Sequence, residues 1–353
     1  MQIGLIRYLI DKLYNANILD KDEIVYILKN IKDENKEILF DYAVKTCERY
    51  YKRKVYLRGL IEFSNICMRN CLYCGIRAEN SNAERYRLSK DEILECCKEG
   101  YSLGYRTFVL QSGEDMWFDA EKISDIIKSI KALYPDVAVT LSIGERTYDE
   151  YKIMFDAGAD RFLLRHETAS EELYGKLHPG ASFINRKNCL YILKEIGYQV
   201  GAGFMIGLPG QSEEHLADDL IFLKELYPHM IGIGPFIPHS ETPLCNEKGG
   251  TVEDTLVVLA MARLMVPDAL IPATTAIGTL KKNGRELALN AGANVVMPNL
   301  TPVNQRAKYD LYENKICIGD EPAHCRVCIE NRIRAAGFEP DLGRGDNVNF
   351  LKD

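Results

Sequence analysis

Val55-Tyr-Leu-Arg-Gly-Leu-Ile-Glu-Phe-Ser64 runs directly into Asn65-Ile-Cys67-Met-Arg-Asn-Cys71-Leu-Tyr-Cys74-Gly75. The first half is an apolar run of strand length. The second is a loop with cysteines spaced C-x3-C-x2-C. Closely spaced thiolates ligate soft metal centres, iron–sulfur clusters among them. A four-iron cubane wants four protein ligands and this loop offers three, which leaves one iron open to a small molecule. A three-cysteine zinc site and incidental cysteines are the competing readings. Zinc usually takes paired C-x2-C knuckles, and no second pair lies close by.

Outward from this loop the chain alternates apolar runs with amphipathic helices. The runs are 55–64, 107–113, 137–144, 161–167, 201–207, 230–238, 270–276 and 293–299. Between them, Ile123, Ile126, Ile127, Ile130 and Leu133 share one helical face, as do Leu216, Leu220 and Leu223. Ser89-Lys-Asp-Glu92 reads as a capping box that opens a helix. Eight strand–helix units predict an α/β fold, a (β/α)8 TIM barrel. An open doubly wound sheet is the runner-up, without the glycine fingerprint after its first strand. Residues 1–54 read as a helical extension, 55–300 as the barrel and 301–353 as a short C-terminal extension.

Composition bounds the function. The 353 residues are 46% apolar, enough for a large core, and carry 44 basic and 51 acidic residues. No basic cluster stands out, which argues against nucleic acid as a partner. Eleven cysteines, an odd number, suit a reducing cytoplasm better than a disulfide framework. The first residues lack the pattern of a secretory signal, and no stretch approaches the ~20 apolar residues of a membrane span.

Within the strands, Phe108 and Leu110 oppose Val109, Gln111 and Gly113. Val139, Leu141 and Ile143 oppose Thr140 and Ser142, and Phe162 and Leu164 oppose Leu163, Arg165 and Glu167. The apolar sets suit the outer helices, which turns the polar sets into the barrel near its C-terminal mouth. Burying them unpartnered costs several kcal/mol in sum, so they are expected to serve a site. An internal salt-bridge network, Arg58 or Arg165 with Glu62, is the structural alternative.

The cysteine loop, with Ser112-Gly-Glu114 and Gly203-Phe-Met-Ile-Gly207 behind it in order, resembles the radical S-adenosylmethionine (SAM) enzymes. The blocks 109–115, 163–168, 203–211, 232–239, 271–276 and 293–299 together are similar to the HydE family of FeFe-hydrogenase maturases. The resemblance implies a 4Fe–4S cluster on Cys67, Cys71 and Cys74. It implies SAM contacts from Tyr73, Gly113, Glu114, Ser142, Glu167, Arg186, Met205, Met297 and Tyr309, with Arg186 and Glu167 as the two residues that fix its amino-acid end. Gln111, Thr140, Arg165, Thr274, Thr275 and Tyr312 are implied as the catalytic substrate pocket, suited to a small anionic, amino-acid-like ligand. Cys317, Cys325 and Cys328 resemble an accessory site for a 2Fe–2S or 4Fe–4S cluster, and zinc with His324 is a further reading.

The implied reaction cleaves SAM to a 5′-deoxyadenosyl radical that attacks the sulfur of a cysteine-bound iron carbonyl cyanide. The implied partners are a tyrosine-lyase-type radical SAM maturase, a scaffold GTPase and a reductant such as ferredoxin or flavodoxin. A radical mutase or sulfur-handling enzyme of the methylornithine or biotin synthase kind is the alternative, and a non-catalytic iron–sulfur carrier is another. By strand parity His166 points outward and reads as structural, bonded to backbone. His178 and His239 read as loop residues, and Cys47, Cys96, Cys97, Cys189 and Cys245 as small buried hydrophobes.

Overall fold

The apolar run that precedes the cysteine loop forms two strand segments interrupted at Arg58, β1 (Lys54–Leu57) and β2 (Gly59–Ser64). The computed structural model describes residues 2–350, with side chains from residue 4. Three helices, α1 (Gln2–Ala16), α2 (Lys21–Asn30) and α3 (Asp33–Tyr51), precede β1. After β2 come α4 (Lys90–Ser102), β3 (Thr107–Ser112), α5 (Ala120–Leu133), β4 (Ala138–Ser142), α6 (Tyr148–Asp156) and β5 (Arg161–Leu163). Then follow α7 (Glu171–Leu177), α8 (Phe183–Ile196), β6 (Gln199–Ile206), α9 (Glu213–Leu226), β7 (Met230–Pro235) and α10 (Val252–Met265). The chain continues through α11 (Thr275–Leu280), α12 (Gly284–Leu289), β8 (Val295–Val296), α13 (Val303–Arg306), α14 (Pro322–Ala335) and β9 (Glu339–Asp341).

β2 to β7 make a parallel six-stranded sheet in sequence order. The ring closes through Met230–Leu270, Pro272–Val295 and Leu60–Asn299 bridges and the β8–β1 pair. The fold is therefore the expected (β/α)8 barrel. Its seventh position is only a pair of bridges, shorter than the run at 270–276 suggests. Pro272 cannot donate to a ladder, and Thr274 already caps α11. The parity holds. Phe108, Leu110, Val139, Leu141 and Phe162 join the core against Ile123, Ile126, Ile127 and Ile130 of α5. Each such buried side chain contributes about 1.5–3 kcal/mol. The Ser89–Glu92 capping box is present.

The first three helices lie on the flank of the barrel. α3 packs on α10 and α2 on α9, and Tyr51 donates to Asp268 O at 2.5 Å. The C-terminal segment crosses the barrel floor. β9 pairs with β1, and Arg161 bonds Arg344 O and Asp346, both at 2.6 Å. Gln199 reaches Asp346 at 2.7 Å, and Arg58 donates to Gly345 O at 3.1 Å. Arg58 is thus bonded to a carbonyl and to Met230 sulfur, not to Glu62.

Asp346→Ala removes the carboxylate partner of the buried Arg161 and leaves it the Arg344 carbonyl and the Thr107 hydroxyl. The expected loss is about 2–3 kcal/mol, below the ~3–5 of a fully buried pair because Asp346 is 26% exposed. Urea denaturation checks it. A loss under ~0.5 kcal/mol, the range of ordinary surface substitutions, would show that the floor does not depend on this pair.

Candidate functional site

The strand ends open into a cavity of about 390 Å³, the size of a small-ligand site. Cys67, Cys71 and Cys74 line it on one side, and residues 309–317 cover it on another.

The cysteine loop is held by its backbone. Arg85 donates to the carbonyls of Asn65, Ile76, Arg77 and Asn80. Leu72 N–H bonds Leu177 O at 2.9 Å, and Gly75 N–H bonds Leu311 O at 3.0 Å. Two glycines are fixed by close approach. A Cβ on Gly113 would stand 2.3 Å from Ile66 O and 2.7 Å from Cys67 Cβ, and one on Gly75 2.1 Å from Asp310 O. The N–H groups of Arg69 and Glu114 point at Cys67 sulfur at 3.4 and 3.3 Å.

Burial pushes all three thiols up, Cys71 to about 12 and Cys74 well above its ordinary value. Bare thiolates are therefore disfavoured, and a ligand that brings positive charge displaces their protons. Among the described residues no three His, Cys, Asp or Glu side chains converge on one ion position. In a cubane each cysteine binds its own iron, so three thiols along one loop, with N–H donors aimed at sulfur, fit that group.

Beside the loop lies a four-membered charge network. Arg186 on α8 reaches Glu114 at 3.3 Å and Glu145 at 2.8 Å, and Arg69 reaches the same two at 2.5 and 3.0 Å. Burial opposes the Arg186 charge, but Tyr174, Glu114 and Glu145 outweigh it and hold the guanidinium above its ordinary value. Arg186 and Glu167, the two residues expected at the amino-acid end of SAM, both line the cavity. Glu167 faces Arg165 at 3.4 Å, with a left-handed backbone (φ 67°) that stores about 1 kcal/mol or more. Glu145 and Arg69 were missed by sequence reasoning. The only signal was the position of Gly144-Glu145 at a strand end.

Gln111, Arg165, Thr274, Thr275 and Tyr312 line the same cavity, as do Tyr73, Gly113, Glu114, Ser142, Glu167, Arg186, Met205, Met297 and Tyr309. Thr140 does not. It sits mid-strand, one layer lower, on a small void shared with Arg58 and Arg161. Thr274 also caps α11 through Ile277 N–H. Two cavity residues were not anticipated in this role: Glu62, nearly fully buried, pairs with Lys315 at 2.6 Å, and Arg285 donates to Thr275 at 3.2 Å. Lys315, not Arg165 or Arg58, is the partner of Glu62.

Cys317 and Cys325 line the cavity from the C-terminal segment, while Cys328 and His324 are exposed. A hydrogen bond between the first two pulls Cys317 down and pushes Cys325 up. Cys47, Cys96, Cys97 and Cys189 are buried as expected, but Cys245 is exposed.

His166 is fully buried against Phe204 and Phe222, with Nε2 3.3 Å from Asp219, where a backbone partner was expected. His178 caps α7 and bridges Tyr174 O at 2.9 Å and Tyr73 OH at 2.8 Å. His239 contacts Asp310 at 3.0 Å. Burial holds His178 and His229 down at about 4 and His166 well below its ordinary value.

Unfolded, these three histidines take protons near pH 6.5; folded, His178 and His229 do so only at about pH 4, and burial likewise holds His166 well below its ordinary value. Stability fully present above pH 6.5 is therefore lost as pH falls through this window, by about 1.4 kcal/mol per pH unit for each histidine. Urea midpoints measured from pH 7 to pH 5 are expected to fall steeply, and a flat profile would contradict the neutral assignment.

The sequence pattern of the Radical SAM superfamily matches residues 61–223. The chain is 50% identical over 304 residues to the [FeFe] hydrogenase maturase subunit HydE of Thermotoga maritima, covering 86% of this chain and 87% of the relative. It is 30% identical over 342 residues to 3-methylornithine synthase of Methanosarcina barkeri, covering 94% and 96%. The crystal structure of methylornithine synthase superposes with TM-score 0.83 at 27% identity, covering 94% and 97%. That of the maturase HydG gives 0.80 at 20% identity, covering 96% and 76%, a likeness of fold.

Proposed function

The chain belongs to the HydE family of radical SAM enzymes, and on that footing we propose that its barrel mouth joins a 4Fe–4S cluster, SAM and a sulfur-bearing substrate in one chamber. The substrate in this reading is a cysteine-bound iron carbonyl cyanide. The observation that carries it is the single cavity lined both by the three loop thiols and by the polar set opposite them. Residues 55–300 form the catalytic barrel in this reading, 1–54 a supporting extension and 301–353 an extension that covers the mouth.

Bound together, the cluster and SAM supply reductive cleavage to methionine and a 5′-deoxyadenosyl radical aimed at the substrate sulfur. Cys67, Cys71 and Cys74 would hold the cluster. Gly113 and Glu114 would meet the methionyl amino group, and Arg186, braced by Glu145, its carboxylate. Tyr73, Ser142, Glu167, Met205, Met297 and Tyr309 would complete the SAM site. Gln111, Arg165, Thr274, Thr275 and Tyr312 would orient the substrate, and residues 309–317 would keep water out. Cys317, Cys325 and Cys328 would carry an accessory 2Fe–2S or 4Fe–4S cluster. A partner maturase would supply the substrate, a scaffold GTPase would take the product, and ferredoxin or flavodoxin would supply electrons.

Anaerobic enzyme given SAM, dithionite and a cysteine-bound iron carbonyl cyanide is expected to consume the complex. Deoxyadenosine formation with the complex intact would overturn the substrate. The likeness to methylornithine synthase favours one other reading, and turnover of lysine in the same assay would establish it.

A further inference from the structure

Tyr73 stands between Cys71 and Cys74 in the chain, and its ring lines the cavity with them. A phenol is a hazard in that place. Its O–H bond is weaker than the C–H bond that a primary carbon radical forms. A free phenol beside such a radical therefore gives up its hydrogen atom: the O–H bond breaks, the carbon gains the hydrogen, and a tyrosyl radical is left. The Tyr73 hydroxyl is not free. It is bonded to His178 Nε2 at 2.8 Å, and His178 is not among the residues that line the cavity.

The direction of this bond follows from the other ring nitrogen. His178 Nδ1 lies 2.9 Å from Tyr174 O. A carbonyl only accepts, so Nδ1 carries the proton. Burial holds the imidazole down at about 4, so it is uncharged at neutral pH. Nε2 is then a bare acceptor, and the phenol donates to it. The imidazole is also fixed in place. It is 2% exposed and stacks on Tyr174 with ring centroids 4.1 Å apart. It ends α7, whose Leu177 O takes the Leu72 N–H at 2.9 Å. One helix end thus holds both the backbone before the phenol and the phenol itself. Tyr309 and Tyr312, which also line the cavity, belong to the C-terminal segment and not to the cysteine loop.

We propose that His178 is a positioning residue that ties down the Tyr73 O–H, so that a radical formed in the chamber reaches its substrate and is not quenched by the phenol of the cysteine loop. The radical comes from the function proposed above, whereas the hydrogen bond stands on the structure alone, and two measurements separate them. The first is neutron diffraction from crystals of the anaerobic holoenzyme exchanged into D2O. Deuterium is expected on His178 Nδ1 and on the Tyr73 oxygen, directed at Nε2. Deuterium on Nε2, or a Tyr73 hydroxyl turned into the cavity, overturns the assignment whatever the enzyme does with SAM.

The second compares reactions with SAM and dithionite in D2O without added substrate. Samples are freeze-quenched for electron paramagnetic resonance and then assayed for deuterium per deoxyadenosine. His178→Phe keeps a ring against Tyr174 and removes the acceptor, which leaves the phenol to the chamber its ring lines. It is expected to raise the deuterium content severalfold over the unaltered enzyme and to show a tyrosyl signal. Both are expected to return to the starting level when Tyr73→Phe is added. His178→Gln, whose amide oxygen accepts a hydrogen bond, is expected to stay near the unaltered enzyme. A merely structural role would lower the amount of deoxyadenosine and leave its deuterium content alone. Circular dichroism, cluster absorbance and SAM affinity confirm that each variant is folded and loaded; if His178→Phe does not fold, the neutron result decides.

Unchanged deuterium and no tyrosyl signal in His178→Phe, with deoxyadenosine still formed, sinks the role of His178 and leaves the proposed function standing. A signal that persists after Tyr73→Phe comes from another tyrosine and overturns the assignment too. No deoxyadenosine from the unaltered enzyme sinks both.

Discussion

Serine in place of Cys67, Cys71 or Cys74 is expected to remove SAM cleavage. A hydroxyl is a hard donor of high pKa and does not replace a thiolate on iron. Deoxyadenosine formation should drop by well over ~100-fold, beyond the ~10- to 100-fold typical of changes behind a metal ligand. Iron content and cluster absorbance should fall in parallel. Serine at Cys317, Cys325 or Cys328 should lower iron content while deoxyadenosine still forms. A first-loop variant with full cleavage would dissociate the loop from the chemistry.

Arg186→Met is expected to damage both fold and site. It leaves Glu114 and Glu145, both nearly buried, with Arg69 as their only cation among the described residues. Removing one member of a buried charge network costs about 3–5 kcal/mol, readable as a fall in the urea midpoint. SAM affinity should be lost as well. Arg186→Lys keeps the charge but not the planar fork, so it should recover much of the stability and little of the SAM binding. If Arg186→Met unfolds like the parent and binds SAM normally, the network has no role in the site.

The barrel was legible because its rule is periodic: strand parity at Phe108, Leu110, Val139 and Phe162 placed the outer core without any long-range contact. The cysteine loop was legible because all three ligands lie within one short segment. What escaped were contacts between distant segments. The Glu62–Lys315 pair joins residues 253 positions apart, and the floor clasp of Arg161 and Asp346 joins residues 185 apart. No local pattern marks either. Glu145 was missed because a lone carboxylate after a glycine looks like any strand end. Thr140 was misplaced because parity gives the face of a strand but not the depth along it. The Arg165–Glu167 contact escaped for a backbone reason, since no local pattern marks the left-handed turn at Glu167.

The central claim is that the iron left without a cysteine faces a space where SAM binds it directly. Electron–nuclear double resonance on the reduced, reconstituted protein with 15N-labelled SAM measures this. The account predicts hyperfine coupling between the labelled amino nitrogen and the cluster, lost in Arg186→Met. A reduced cluster whose spectrum shows no coupling to bound, labelled SAM would contradict it.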